Sequence, residues 1–115
     1  MSTRTTLAAA MLCTIVCSLS AVALSEEKFR SAEFLTWPEE SQKNYVITSA
    51  LMAAVIAARN QEGQAECVDQ WIADNEDSGF KPVQDAMARF PDNHPTGVIA
   101  AVLDKACGVI RGPSK

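Results

Sequence analysis

Residues 38–59, PEESQKNYVITSALMAAVIAAR, decide the fold of this chain. The stretch begins polar and by Tyr45 has become apolar on nearly every side. Ile47, Ala50, Leu51, Ala54, Val55 and Ala58 recur at three- and four-residue spacing, and Val46, Met52 and Ile56 fill other faces. That periodicity predicts a helix, and a helix apolar all round predicts a central one, surrounded by the rest of the domain. The apolar run covers about fourteen residues and includes Thr48 and Ser49, whereas a membrane span takes roughly twenty, so the reading is a buried core helix.

Upstream, the first quarter of the chain has a different character. After Arg4 comes LAAAMLCTIVCSLSAVALS, then an abrupt change to Glu26, Glu27 and Lys28, the order of a secretory signal peptide. Small residues at Ala21, Ala23 and Ser25 place cleavage near residues 23–25. We expect a leader over residues 1–25, one helical domain over 26–110 and a disordered tail, RGPSK, over 111–115. The expected location is the periplasm or the exterior.

Cys13 and Cys17 leave with such a leader, so Cys67 and Cys107 remain of the four cysteines. In an exported chain they most simply form one disulfide. It closes a loop of about forty residues, for which chain entropy predicts about 4 kcal/mol. Ten basic and fourteen acidic residues give a net charge of −4, and losing the leader removes Arg4 but no acid. An acidic chain without a basic run is a poor partner for nucleic acid or an anionic membrane and a compatible one for a basic protein surface.

Residues 26–36, EEKFRSAEFLT, read as a short lead-in helix with Phe29, Phe34 and Leu35 facing the core. Thr36, Pro38 and Glu39 then have the order of a capping box that starts the central helix, and Trp37 is expected to lie over the core as a lid. Polar residues and Gly63 end that helix. A second helix over about 64–75 puts Cys67, Val68, Trp71 and Ile72 on one stripe, and a turn over 75–79 separates it from a third at 82–90, with Val83, Ala86, Met87 and Phe90 inward. Pro91 to Pro95 form a tight connection. The last helix starts at Pro95, carries Val98, Ile99, Val102, Leu103 and Ala106, and stops at Gly108. No stretch alternates as a strand does. The expected fold class is all-α, a small four- to five-helix bundle with one disulfide.

Catalytic material is sparse. There is one histidine, His94, set between Asn93 and Pro95 where a turn or cap role suits it, with no nucleophile or second histidine signalled as its partner. No three or four ligands stand at zinc spacing, and no glycine-rich phosphate loop is present. We therefore expect no enzyme, cofactor or metal, and a role in binding protein. The segments best placed to carry it are the acidic loop with Asp74, Glu76, Asp77, Gly79 and Phe80, and the connection holding Asn93 and His94. Phe80 can fold back on the core or stand out as an interface anchor.

Taken together, Tyr45-Val46-Ile47-Thr48-Ser49, then Cys67, then Arg89-Phe90-Pro91-Asp92-Asn93-His94-Pro95, then Val98 through Cys107 resemble the Tai-type immunity proteins of type VI secretion. These are small periplasmic helical proteins that neutralise cell-wall amidase effectors. The chain has Ser49 and Ala53 where that family usually has glycines, and Val68 where it has a proline. The resemblance implies a Cys67–Cys107 pair, a homodimer, and inhibition by an exposed loop that plugs an amidase active site. Phe34-Leu35, the acidic segment after it and the alanine-rich helix also resemble HdeA-like acid-stress chaperones, although those carry a cysteine where this chain has Ala32 and Glu33. An accessory subunit of a larger exported complex is the third expectation.

Overall fold

The computed structural model describes residues 28–110; the leader expected over 1–25 and the tail expected over 111–115 lie outside the described residues. Five helices follow one another: α1 (Ser31–Phe34), α2 (Glu39–Asn60), α3 (Gln64–Asn75), α4 (Lys81–Arg89) and α5 (Pro95–Cys107). There is no strand among the described residues. The all-α bundle with one disulfide is thus the observed architecture.

Helix α2 is the longest element, and Gln61, Glu62 and Gly63 fold α3 back along it. Gly63 has φ of 82° at the start of α3, the left-handed conformation that glycine adopts without a Cβ clash. α5 packs on α2, α3 and α4, and α1 rests on α4 and α5. The core holds Phe34, Val46, Ala50, Val68, Phe80, Val83, Met87, Ile99 and Leu103, each almost without solvent exposure. Cys67, one turn into α3, is bonded to Cys107 at the end of α5, with the Cα atoms 5.7 Å apart. Beside it the buried Gln64 side chain donates through Nε2 to the carbonyls of Cys107, at 3.3 Å, and Gly108, at 2.9 Å. The end of α5 is therefore fastened to α3 twice.

The start of the bundle differs from the sequence expectation. α1 is a single turn, and its position comes from across the chain: the buried Ser31 donates from both its N–H and its Oγ to the carbonyl of Asn93, each at 2.8 Å. The capping box does not form. Thr36 Oγ1 donates to the Glu33 carbonyl at 2.6 Å and closes α1, while Pro38 takes the N-cap position of α2, where it makes no side-chain cap. Instead, buried Gln42 donates to the carbonyls of Leu35 and Trp37 and accepts from Gln84, so that one amide ties the α1 end, the first turns of α2 and helix α4 together. Trp37 does lie as a lid, its ring centroid 5.0 Å from Phe29, 5.4 Å from Phe34 and 5.8 Å from Tyr45.

Helix α2 also corrects the expectation that it is surrounded. Its buried side is Gln42, Val46, Ala50, Ala54 and Ala57. Leu51 and Val55, expected inward, are 47% and 54% exposed, and Met52 and Ile56 are 62% and 39% exposed. The physical reason is the size of what packs. Interaxial distance follows the side chains at the contact, and small residues let a neighbour approach closely. The alanine side of α2 accordingly carries the close packing, and its bulky side chains are turned away.

Candidate functional site

The two loops proposed from sequence lie at opposite ends of α4, separated by the nine residues of that helix, roughly 13 Å at 1.5 Å per residue. They do not form one site. In the first, Asp74, Glu76 and Asp77 are exposed, but Gly79 and Phe80 are buried. Phe80 resolves its two sequence readings inward: it is fully buried, with its ring 5.6 Å from Trp71. It sits in the left-handed region at φ 61°, a conformation costing of order 1 kcal/mol for a residue with a Cβ. Its N–H donates to the Asn75 carbonyl at 2.9 Å, and its own carbonyl accepts from Val83 and Gln84, which starts α4. Burial of the ring holds a turn that the backbone alone disfavours.

The second loop is likewise occupied by structural work. The carbonyl of Asn93 receives both bonds from Ser31, as described. His94 is the N-cap of α5: its Nδ1 accepts from the Thr96 N–H at 3.2 Å, and its ring stands edge-on to Phe29 at 5.6 Å. That is the cap role its position suggested. Both side chains remain exposed. Among the described residues no three metal-ligating side chains converge, and no helix is long and apolar enough to cross a membrane.

What the sequence reading missed is the outward face of α2. Leu51, Met52, Val55 and Ile56 recur at i, i+1, i+4 and i+5, so they share one side of the helix and form a continuous apolar patch. Residues 44–58 contain no charged side chain, in a protein where 21% of residues are charged. On its flank the patch runs into a groove of about 330 Å³ between α2 and α5, whose apolar lining includes Met52, Ala53, Ile56, Ile99, Leu103 and Ile110 and whose polar lining is Ser49, Thr96 and Asp104. Ile110 is brought there by the turn at Gly108 and by its N–H, which donates to Asp104 Oδ1 at 3.0 Å. Thr96, at the start of α5, lines the groove with its hydroxyl 2.7 Å from that of Tyr45. The signal for this face was present in the sequence, as alanines segregated to one side of a helix and large side chains to the other.

Exposed apolar residues scattered singly are ordinary on soluble proteins; a contiguous group on an uncharged stretch of helix is the pattern of an interaction surface. Compared with known proteins, the chain matches no protein-family model, no curated protein and no solved structure. Its surface is therefore read from its own chemistry.

Proposed function

We propose that this chain is an exported protein-binding domain that contacts its partner through the outward face of α2. The observation that carries the reading is the central helix with four adjoining large apolar side chains in solvent and no charge over residues 44–58. The occupant is a partner protein with an apolar patch of its own. A specific interface takes about 800 Å² from each partner, with a core depleted in charge and a polar rim. Leu51, Met52, Val55 and Ile56 supply such a core, and Thr48, Ser49 and Arg59 supply the rim. The disulfide and the apolar leader support an oxidising, exported location, periplasmic or secreted.

Following the resemblance to Tai-type immunity proteins, the partner is a cell-wall amidase effector, and the domain inhibits it without catalysis of its own. The acidic turn with Glu76 and Asp77, beside Asp74 in the last turn of α3, is the exposed segment that can enter such an enzyme once α2 is docked. Acid-stress chaperoning, the alternative, draws its binding surface from loosening at low pH. Here the apolar face is outside while the core is fully packed, which favours a surface that works at neutral pH.

The test is capture at pH 7 by the oxidised protein, expressed from its full sequence, beside the Met52→Asp/Val55→Asp double variant. Support requires a single stoichiometric partner whose peptidoglycan-cleaving activity falls on binding and which the double variant loses. Capture undiminished in the variant removes the α2 face from the reading. An empty capture at neutral pH followed by many weak partners in acid moves the assignment to the chaperone. Sedimentation of the protein alone separates a homodimer from a hetero-complex, since a dimer through α2 dissociates in the same variant.

A further inference from the structure

On its other flank α5 borders a second groove, shared with α4 and different in chemistry. It has a volume of about 310 Å³, and its lining includes Arg89, Phe90, Gly97, Ala101 and Lys105. In a chain of net charge −4, no carboxylate lines it. The ion pairs of the described residues engage Arg30, Lys43 and Lys81, whereas Arg89 and Lys105 meet no carboxylate. Both are exposed, and both also line the adjoining cleft of about 510 Å³ that reaches Lys81 and its ion-pair partner Asp85. Each is placed well for its own helix, near a C-terminus where cations are favoured. That accounts for either alone. It does not account for both facing one trough that has an exposed aromatic at its end.

Gly97, Ala101 and Lys105 lie four residues apart along one face of α5, a length of roughly 12 Å. At about 3.3 Å per residue, four residues of extended chain match it. The floor is open: a Cβ built on Gly97 meets nothing within 4 Å. Phe90, 53% exposed, offers a ring to an apolar side chain, and the guanidinium of Arg89 suits bidentate pairing with a carboxylate.

We propose that the α4–α5 groove binds an acidic peptide segment of a partner protein, with an apolar side chain over Gly97 and Ala101 beside Phe90 and carboxylates on Arg89 and Lys105. The proposal rests on the protein-binding reading and adds a second contact of opposite chemistry to the neutral α2 face. Nucleic acid is disfavoured, because two cations on an acidic protein are too few to hold a phosphate backbone.

The experiment is an NMR titration of the oxidised protein with a blocked pentapeptide alternating aspartate and leucine. A peptide alternating asparagine and leucine and inorganic polyphosphate serve as controls. The expected result is saturable shifts at Phe90, Gly97 and Ala101 with the acidic peptide alone, weakened about tenfold by Arg89→Gln or by Lys105→Gln. Gly97→Leu, whose Cβ enters open space and whose branched end projects over the groove, should abolish binding while the rest of the amide spectrum shows the fold intact. Absence of saturable binding, equal binding of the asparagine peptide, the same shifts with polyphosphate, or indifference to Gly97→Leu would each overturn the proposal. The Met52→Asp/Val55→Asp variant should bind the peptide as the parent does, so failure of the α2 reading and failure of this one are separate results.

Discussion

Helix α4 turns Val83, Ala86 and Met87 into the core and leaves Lys81, Asp85 and Arg89 in solvent, with Lys81 Nζ 2.8 Å from Asp85 one turn on. Helix α2 spans 22 residues to the nine of α4, yet it buries alanines and leaves Leu51, Met52, Val55 and Ile56 outside. Over most of α4 the arrangement is complete within this chain, Arg89 and the exposed Phe90 at its C-terminal end excepted: each side of the helix has the environment its residues favour. Along α2 it is not. Covering the exposed half of those four side chains is worth roughly 3–6 kcal/mol before the costs of association. The difference locates the surface that a partner can use.

Substitutions can break this comparison. The largest effect belongs to the residue that starts α4. Phe80→Ala removes a fully buried ring and keeps a Cβ at φ 61°, so stability should fall by about 3–5 kcal/mol in urea unfolding. If Phe80 were an interface anchor, the loss would appear in binding and leave unfolding unchanged.

A matched pair of methionines comes next. Met87 is fully buried and Met52 is 62% exposed. Met87→Ala should cost about 2–5 kcal/mol. Met52→Ala should stay within about 0.5 kcal/mol in the free protein. In the presence of the partner the order reverses in significance, since Met52→Ala should then weaken the complex. Equal costs in the free protein would mean that the outward face of α2 is covered in solution, as in a homodimer, and the sedimentation experiment would show it.

The alanine side of α2 gives a third measurement. Ala50 is fully buried, and enlarging it should force α2 away from its neighbours. Ala50→Leu is expected to cost about 1–3 kcal/mol through overpacking. Leu51→Ala, the neighbour that alternative packing would bury, should again be near neutral. The opposite outcome would rotate the helix to the orientation its leucine and valine spacing first suggested.

That rotation marks where the sequence stopped being informative. α4 was legible at Val83, Ala86 and Met87 because its apolar and polar residues separate cleanly, whereas Phe90, expected inward with them, is 53% exposed because the helix ends at Arg89 and the backbone turns away there. α3 was legible for the same reason, through Val68 and Trp71. In α2 nearly every position from Tyr45 to Ala58 is apolar, and hydrophobicity alone cannot orient a helix that offers it on all sides. Size decides there, through Ala50, Ala54 and Ala57. Thr36 was misread because capping residues are shared by whatever helix end is nearer: α1 took the hydroxyl. The single turn of α1 has too little local signal to bound, since Ser31 is held by a carbonyl 62 residues away. The disulfide followed from counting cysteines. The α4–α5 groove could not have been anticipated, because Arg89, Gly97 and Lys105 converge only once both helices are placed.

The smallest effect tests whether the loop after α4 is a site or a joint. His94 caps α5 through an Nδ1 that accepts one backbone N–H, and a lost N-cap typically costs about 1 kcal/mol. His94→Ala should therefore destabilise by about that amount, with the lost edge contact to Phe29 included. His94→Asp and His94→Ser supply an oxygen that can accept the same bond and should recover most of it, Asp with added benefit from the helix dipole. Neither contains an imidazole. Recovery of stability together with unchanged partner binding in these two variants leaves His94 as a joint, and partner recognition then lies on α2 and the groove beside Arg89. Recovery of stability with binding still lost would give the imidazole a direct part in the interface. The contact surface would then extend from the C-terminal end of α4 across Phe29 toward the outward face of α2.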